Sequence, residues 1–189
     1  MNLVERLNQG PILCAEGYLF AMERRGYLQA GAYVPEVVLE HPEVVTQLHK
    51  EFIRAGSDVV QAFTYYGHRE KLRLIGKEDL LEPLQKNALK IAKDAADEFP
   101  DLDLMIAGNV ANTNIYSPTD KQSHIDCQKM FAEQIAWAKE ANVDFVIAET
   151  ISWTEEAKLA LKEIKDAGLI AVVNLAIPKG DKTREGHTA

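Results

Sequence analysis

Short apolar runs alternate with longer amphipathic stretches along this chain. Pro11-Ile12-Leu13-Cys14, Val59-Val60-Gln61-Ala62-Phe63, Leu104-Met105-Ile106-Ala107-Gly108, Phe145-Val146-Ile147-Ala148 and Ile170-Ala171-Val172-Val173-Asn174-Leu175 are β-rich and lie far enough apart to hold a helix between them. Such runs predict parallel strands joined by helical crossovers. The intervening pattern agrees. From Pro42 to Ala55, residues Val44, Val45, Leu48, Phe52 and Ile53 share one side, and Pro42 suits a first-turn position. Leu80 to Phe99 repeats the pattern through Leu81, Leu84, Ala88, Ile91, Ala92 and Ala95, and Ile125 to Ala141 does so through Met130, Phe131, Ile135 and Ala138. A last helix is predicted to open at Ser152-Trp153-Thr154-Glu155, a capping box in which the Ser152 hydroxyl and the Glu155 carboxylate satisfy end amides reciprocally.

An internal repeat supports the same architecture. Arg54-Ala55-Gly56-Ser57-Asp58-Val59-Val60, Glu140-Ala141-Asn142-Val143-Asp144-Phe145-Val146 and Asp166-Ala167-Gly168-Leu169-Ile170-Ala171 each end a helix in Ala, supply Gly or Asn for a left-handed cap, and start a strand soon after. The fold class is α/β, built from one βα unit reused. Such units assemble as an open doubly wound sheet or as an eight-stranded barrel, and residue types alone do not decide between them. About five strands are visible where a barrel needs eight, and the sequence stops in Arg184-Glu185-Gly186-His187-Thr188-Ala189, loop-like and just past the fifth.

With 189 residues, 47% of them hydrophobic, residues 1–189 are expected to form a single domain with a core of its own. A net charge of −8 argues against a phosphate-tracking surface, so a small-molecule or protein partner is expected rather than nucleic acid. No apolar run approaches the roughly 20 residues of a bilayer span. Met1-Asn2-Leu3-Val4-Glu5-Arg6 lacks the charged-then-apolar order of a secretory signal, so no membrane partner and a cytoplasmic location are expected. Cys14 and Cys127 lie outside CxxC and Cys/His ligand spacings, so no metal site of the chain's own is expected. The histidines at 41, 49, 68, 124 and 187 are scattered and read as surface or helix-flank residues.

In both architectures ligands gather at the carboxyl ends of parallel strands, and the residues there are polar. Glu16 and Gly17 follow the first run; Gln61, Thr64, Tyr65 and Tyr66 lie in or after the second; Asn109, Asn112, Thr113 and Asn114 follow the third; Glu149 ends the fourth; Asn174 lies in the fifth. Amides, hydroxyls and carboxylates, with no lysine or Ser-His pair among them, suit recognition of a small zwitterion better than nucleophilic attack by the protein. A carboxylate at a strand's mouth, Glu149, would pair with a substrate ammonium group, and Tyr33, Tyr65 and Tyr66 would face a quaternary ammonium group through cation–π attraction. The alternatives are a helix-capping Glu149 and tyrosines that merely pack the rim. Asn112-Thr113-Asn114 equally suits plain turn chemistry.

Four stretches together carry a family resemblance: Gly17 to Tyr27 (GYLFAMERRGY), Glu40 to Ser57 with its EHPEVV and LHKEFIRAGS segments, Gln61 to Tyr66 (QAFTYY), and Asn142 to Glu149 (NVDFVIAE). They resemble the betaine-using members of the homocysteine S-methyltransferase family over nearly the whole chain. The resemblance implies a TIM (β/α)8 barrel, here incomplete, which binds homocysteine as a zinc-held thiolate and methylates it from a donor such as glycine betaine in methionine biosynthesis. It also implies substrate-binding roles. Glu149 matches a carboxylate that holds the homocysteine amino group, Tyr66 matches a donor-site aromatic, and Tyr33 stands where the betaine enzymes have tryptophan. Glu16, Gly17, Gln61 and Asn109 join them as candidate substrate-binding residues. Where the family carries Asp-Gly-Gly after the first strand, this chain reads Ala15-Glu16-Gly17, so an acidic role there falls to Glu16.

The family's zinc thiolates follow the sixth strand and lie in a Gly-Gly-Cys-Cys-Gly stretch after the eighth, both beyond Ala189. Zinc is therefore expected only in the complete family enzyme, and none on this chain alone. The expected partners are homocysteine, a betaine-like donor, and either a second copy or a carboxyl-terminal segment covering the open strand edges. The alternative expectation is a catalytically inactive half-barrel that binds small amino-acid or methylammonium ligands.

Overall fold

Left-handed residues punctuate the chain where the repeat predicts them: Gly56 at φ 103°, Asn142 at φ 56° and Gly168 at φ 79°, each between a helix and the strand that follows. The computed structural model describes residues 1–28, 34–177 and 180–188. In chain order they contain α1 (Leu3–Leu7), α2 (Tyr18–Arg24), α3 (Val37–Glu40), α4 (Pro42–Arg54), β1 (Val59–Gln61), α5 (Arg69–Leu74), α6 (Leu81–Asp97), β2 (Met105–Ala111), α7 (Lys121–Glu140), β3 (Phe145–Ile151), α8 (Thr154–Asp166) and β4 (Ile170–Leu175). Pro42 occupies the first turn of α4, as expected.

The strands form one parallel sheet in the order β1-β2-β3-β4. A doubly wound sheet reverses direction at a switch point, whereas a barrel lays each strand beside its predecessor. The monotonic order is that of a barrel wall, which resolves the choice left open by residue types. The first apolar run does not become a ladder strand. Cys14 makes an isolated parallel bridge to Val59, the Asp58 amide donates to the Leu13 carbonyl at 2.8 Å, and side chains take the amides of the run: the Leu13 amide donates to Asp58 Oδ2 at 2.8 Å and the Ala15 amide to Ser57 Oγ at 3.1 Å. Pro11 has no amide to donate, and the amides of residues 13 and 15 are committed to Asp58 and Ser57.

Alternation along each strand separates two apolar layers. Val59, Met105, Ala107, Phe145 and Ile147 face inward, under Leu3 of α1. Val60, Val110, Val146 and Ala148 face outward against Phe131, Ile135, Ala160 and Ile164 of α7 and α8. Gly108 shares that outer face, and a Cβ there would lie 2.9 Å from the Ala138 Cβ; glycine lets α7 lie close on β2. A further apolar cluster joins α2, α3, α4 and α6 through Met22, Val38, Leu48, Leu84 and Ala88.

Two local expectations need correction. The Ser152 capping box does not form. Trp153 is the N-cap of α8 with no side-chain cap bond, and the end groups are met from far along the chain, Glu185 Oε1 accepting from the Glu155 amide at 3.3 Å and Glu185 Oε2 from the Thr154 hydroxyl at 3.2 Å. Nor are the histidines all peripheral. His49 and His68 are fully buried, His49 bonded to the Tyr18 hydroxyl at 3.1 Å and His68 capping α5. A neutral imidazole with a partner is an acceptable core residue, and lone spacing does not reveal it. Among the described residues, no helix is long and apolar enough to cross a membrane.

Candidate functional site

The inward-facing parity of the strands continues upward from the apolar layer into polar residues. Gln61 lies two places beyond Val59, Asn109 two beyond Ala107, and Glu149 two beyond Ile147. All three therefore rise on one face at the carboxyl ends of β1, β2 and β3. Their side chains meet: Glu149 Oε1 accepts from Gln61 Nε2 at 3.0 Å and from Asn109 Nδ2 at 2.6 Å. The Cys14 thiol lies 3.7 Å from Gln61 Oε1, within reach to donate and hold that amide with its NH2 toward the carboxylate.

An extra residue interrupts β3 just where Glu149 emerges. Ala148 pairs with Val173 but Ile151 pairs with Leu175, so β3 carries three steps where β4 carries two, a bulge at Glu149 and Thr150. Thr150 takes φ 60°. A β-branched side chain in left-handed backbone is strained, and such strain concentrates where a side chain must be aimed. Across the opening, Tyr66 also takes a positive φ, 59°.

Above this floor is a cavity of about 530 Å³, within the usual range for small-ligand sites. Glu16, Gly17, Gln61, Tyr66 and Glu149 line it, so five of the seven candidate residues share one opening. Asn109 is buried beneath and reaches it through Glu149. Tyr33 lies outside the described residues. Tyr65 joins the wall with its ring 4.2 Å from that of Tyr66, and Tyr18, Phe20 and Phe63 supply further apolar surface.

One lining residue contradicts the expectation of a lysine-free rim. Lys71 opens onto the cavity, its Nζ 4.1 Å from the centroid of the Tyr66 ring. It comes from α5 rather than from a strand end, so reading only the residues after each apolar run passes over it. A five-residue separation from Tyr66 across one turn was the available signal.

Burial raises the pKa of Glu149, and the nearby Glu16 charge raises it further, while the Asn109 and Gln61 bonds oppose the shift. A cation entering between the two carboxylates would offset both penalties. Burial, with Glu16 and Glu149 nearby, pushes the Cys14 thiol up to about 12. Burial takes Cys127 to about 11. Neither is a thiolate near neutral pH. Among the described residues no group of three or more His, Cys, Asp or Glu side chains is arranged to hold a metal ion. These residues therefore do not fit the zinc that the family implies.

A second polar cluster escaped the sequence reading. Glu156, 2% exposed, accepts from the Thr113 amide at 2.7 Å and the Thr113 hydroxyl at 2.6 Å, and that hydroxyl lies 3.1 Å from Cys127 Sγ. Thr113 thus spends its polar groups tying the loop after β2 to α8, while Asn114 takes the left-handed conformation at φ 66° that turn chemistry anticipates.

Comparison with known proteins gives the family and the fold. The family model described as Homocysteine S-methyltransferase matches residues 17–189. Betaine–homocysteine S-methyltransferase 1 of Mus musculus is 38% identical over 186 residues, 95% of this chain and 44% of that protein. The Sus scrofa protein of the same name is 37% identical over 186 residues, again 95% of this chain and 65% of that protein. The chain thus spans from under half to about two thirds of these relatives' lengths. Among solved structures, the homocysteine methyltransferase MmuM from Escherichia coli, in its metallated form, superposes with a TM-score of 0.82 at 18% identity, covering 98% of this chain and 70% of that one. At that identity the match speaks for the fold, a (β/α)8 barrel of which this chain forms part.

Proposed function

The chain belongs to the homocysteine S-methyltransferase family, and from that premise we propose that its cavity is the ligand-recognition portion of a site transferring a methyl group from a betaine-type donor to homocysteine. One observation carries the proposal: a strand-end carboxylate, Glu149, held by Gln61 and Asn109 beside Glu16 and facing the Tyr65–Tyr66 wall. The paired carboxylates suit an ammonium group, and the aromatic wall suits methylated nitrogen, for which cation–π attraction is worth about 2 kcal/mol when desolvated.

In the proposed reaction the homocysteine sulfur, having lost its proton, attacks a donor methyl carbon. A carbon–sulfur bond forms, the carbon–nitrogen bond breaks, and the nitrogen keeps the electron pair as a neutral tertiary amine. Within this scheme the chain's residues bind and orient the reactants, Glu149 and Glu16 at the homocysteine amine and Tyr66 at the donor. Gly17, at φ 85° before α2, exposes backbone to the same opening. Residues 1–189 are proposed as a single domain, the amino-terminal portion of the barrel, with zinc ligands supplied from outside it. Methionine biosynthesis in the cytoplasm is the proposed setting.

Calorimetry of the 189-residue chain with homocysteine, glycine betaine and dimethylglycine tests recognition. Complementation with the carboxyl-terminal portion of a relative, in the presence of zinc, tests turnover. Homocysteine binding that Glu149→Gln weakens at least tenfold, with methyl transfer on complementation, is the expected result. Binding without any transfer on complementation would instead favour a catalytically inactive binding module, and no binding of any of the three ligands would overturn the proposal.

A further inference from the structure

Lys71 is the one cation among the described residues lining the cavity, where Glu16 and Glu149 supply the negative charge. Two observations set it apart from an ordinary surface lysine. Lys50, Lys77, Lys86, Lys90, Lys93, Lys129, Lys158 and Lys162 each meet a carboxylate, whereas Lys71, like Lys121, Lys139, Lys165 and Lys182, has no ion pair among the described residues, and of these five it is the one that lines the cavity. Its ammonium instead rests over the Tyr66 ring, 4.1 Å from the centroid, on the wall that faces the opening.

The turn between Tyr66 and Lys71 holds this arrangement. The Lys71 amide donates to His68 Nδ1 at 3.5 Å, a long bond that caps α5, and the buried His68 ring meets Tyr66 edge-on with centroids 6.1 Å apart. Tyr66, in its left-handed conformation, and Lys71 are thus set by one short segment. An ammonium on an aromatic face keeps its charge and its three N–H donors while making no strong hydrogen bond of its own. It is therefore available to an incoming acceptor.

We propose that Lys71 is the carboxylate anchor of the methyl donor, selecting a zwitterion over a simple quaternary ammonium ion. The inference rests on the reading of the cavity given above and adds the polarity of the ligand. Carboxylates at Glu16 and Glu149 and an ammonium at Lys71 give the opening a negative and a positive side, which a ligand carrying both charges complements. A cation with no acidic group would meet Lys71 as a like charge. Because Lys71 adjoins the aromatic wall, the donor rather than homocysteine is the ligand whose carboxylate it takes.

Glycine betaine and choline form the test pair, since both carry a trimethylammonium group and only the first carries a carboxylate. Calorimetry on the 189-residue chain is expected to give tighter binding of glycine betaine. Lys71→Met should weaken glycine betaine at least tenfold while leaving choline unchanged or tighter, and Lys71→Arg should retain most of the preference. Equal melting temperatures of the three proteins would tie the change to the charge. If Lys71→Met leaves the ratio of the two affinities as it was, the anchor assignment fails while the functional proposal stands. If it weakens homocysteine but not its decarboxylated analogue 3-aminopropane-1-thiol, with the donor ratio unmoved, the assignment to the donor is overturned. Failure of the unaltered chain to bind either quaternary ligand would overturn both the anchor and the donor site it rests on.

Discussion

Glu149 bears a charge in a place that disfavours it. Burial and the neighbouring Glu16 raise its pKa, so the ligand-free fold carries a penalty that an ammonium ligand would relieve. Glu149→Gln keeps an oxygen for the Gln61 and Asn109 amides and removes the charge. It should therefore stabilise the free chain by roughly 1 kcal/mol in denaturant titrations, while weakening the amine affinity as tested above. Affinity for an ammonium ligand should also fall on acidification sooner than for a carboxyl of ordinary pKa, because protonation of Glu149 begins at a higher pH. His49 and His68 act on stability in the acid range. Burial, joined at His68 by the Lys71 charge, lowers their pKa values to about 3 and about 4 from an ordinary 6.5. With a folded pKa below the unfolded one, the denatured chain binds the extra protons. Stability should be full above about pH 6.5 and decline below it, by up to about 1.4 kcal/mol per pH unit for each histidine until the folded values are reached. Urea midpoints at pH 7 and pH 5 check this, and His49→Gln should flatten the slope. At this scale the sequence yields the identity of the polar residues, because strand-end position is legible. It does not reveal that His49 pairs with Tyr18, since the two lie 31 positions apart.

The elements owe their packing to small residues and to counting. Gly108 brings α7 against β2, and its missing Cβ is the reason the two approach so closely. Gly108→Ala should destabilise by about 1–3 kcal/mol through overpacking against Ala138, measurable as a lowered melting temperature with the fold retained. Thr150 behaves oppositely. It is exposed and left-handed, so Thr150→Asn, a residue that tolerates this conformation, should add roughly 0.5–1 kcal/mol. Helices and later strands were readable because their periodicities run for many residues. α4 and β4 appear where the pattern locates them, and α7 starts only a few residues earlier, at the Asp120 cap. The first run and the α8 cap were not, because both depend on partners remote in sequence: Ser57 and Asp58 for one, Glu185 for the other.

At the level of the whole molecule the sheet ends unequally. The β1 side is partly occupied by the Cys14 bridge, whereas β4 is the last strand of the sheet and its residues are half-buried to exposed, ending in the exposed Leu175, with exposed Ile177 just beyond. An unpaired parallel strand of this kind seeks a neighbour. The isolated 189-residue chain is expected to sediment as concentration-dependent oligomers, despite a net charge of −8 that opposes association. A monomer that unfolds in one cooperative step at all concentrations would show that the edge needs no partner. The barrel direction itself was beyond composition, since only strand order distinguishes it from an open sheet. The additional residue on β3 has a corollary for engineering. Glu149 keeps the inward parity of Ile147, while Ile151, after the extra step, packs with the outer apolar layer. Removing the codon for Thr150 should therefore leave the carboxylate aimed inward and let Ile151 follow in ordinary alternation, whereas removing one between 145 and 148 should turn Glu149 to the helix-covered side and empty the floor of the opening.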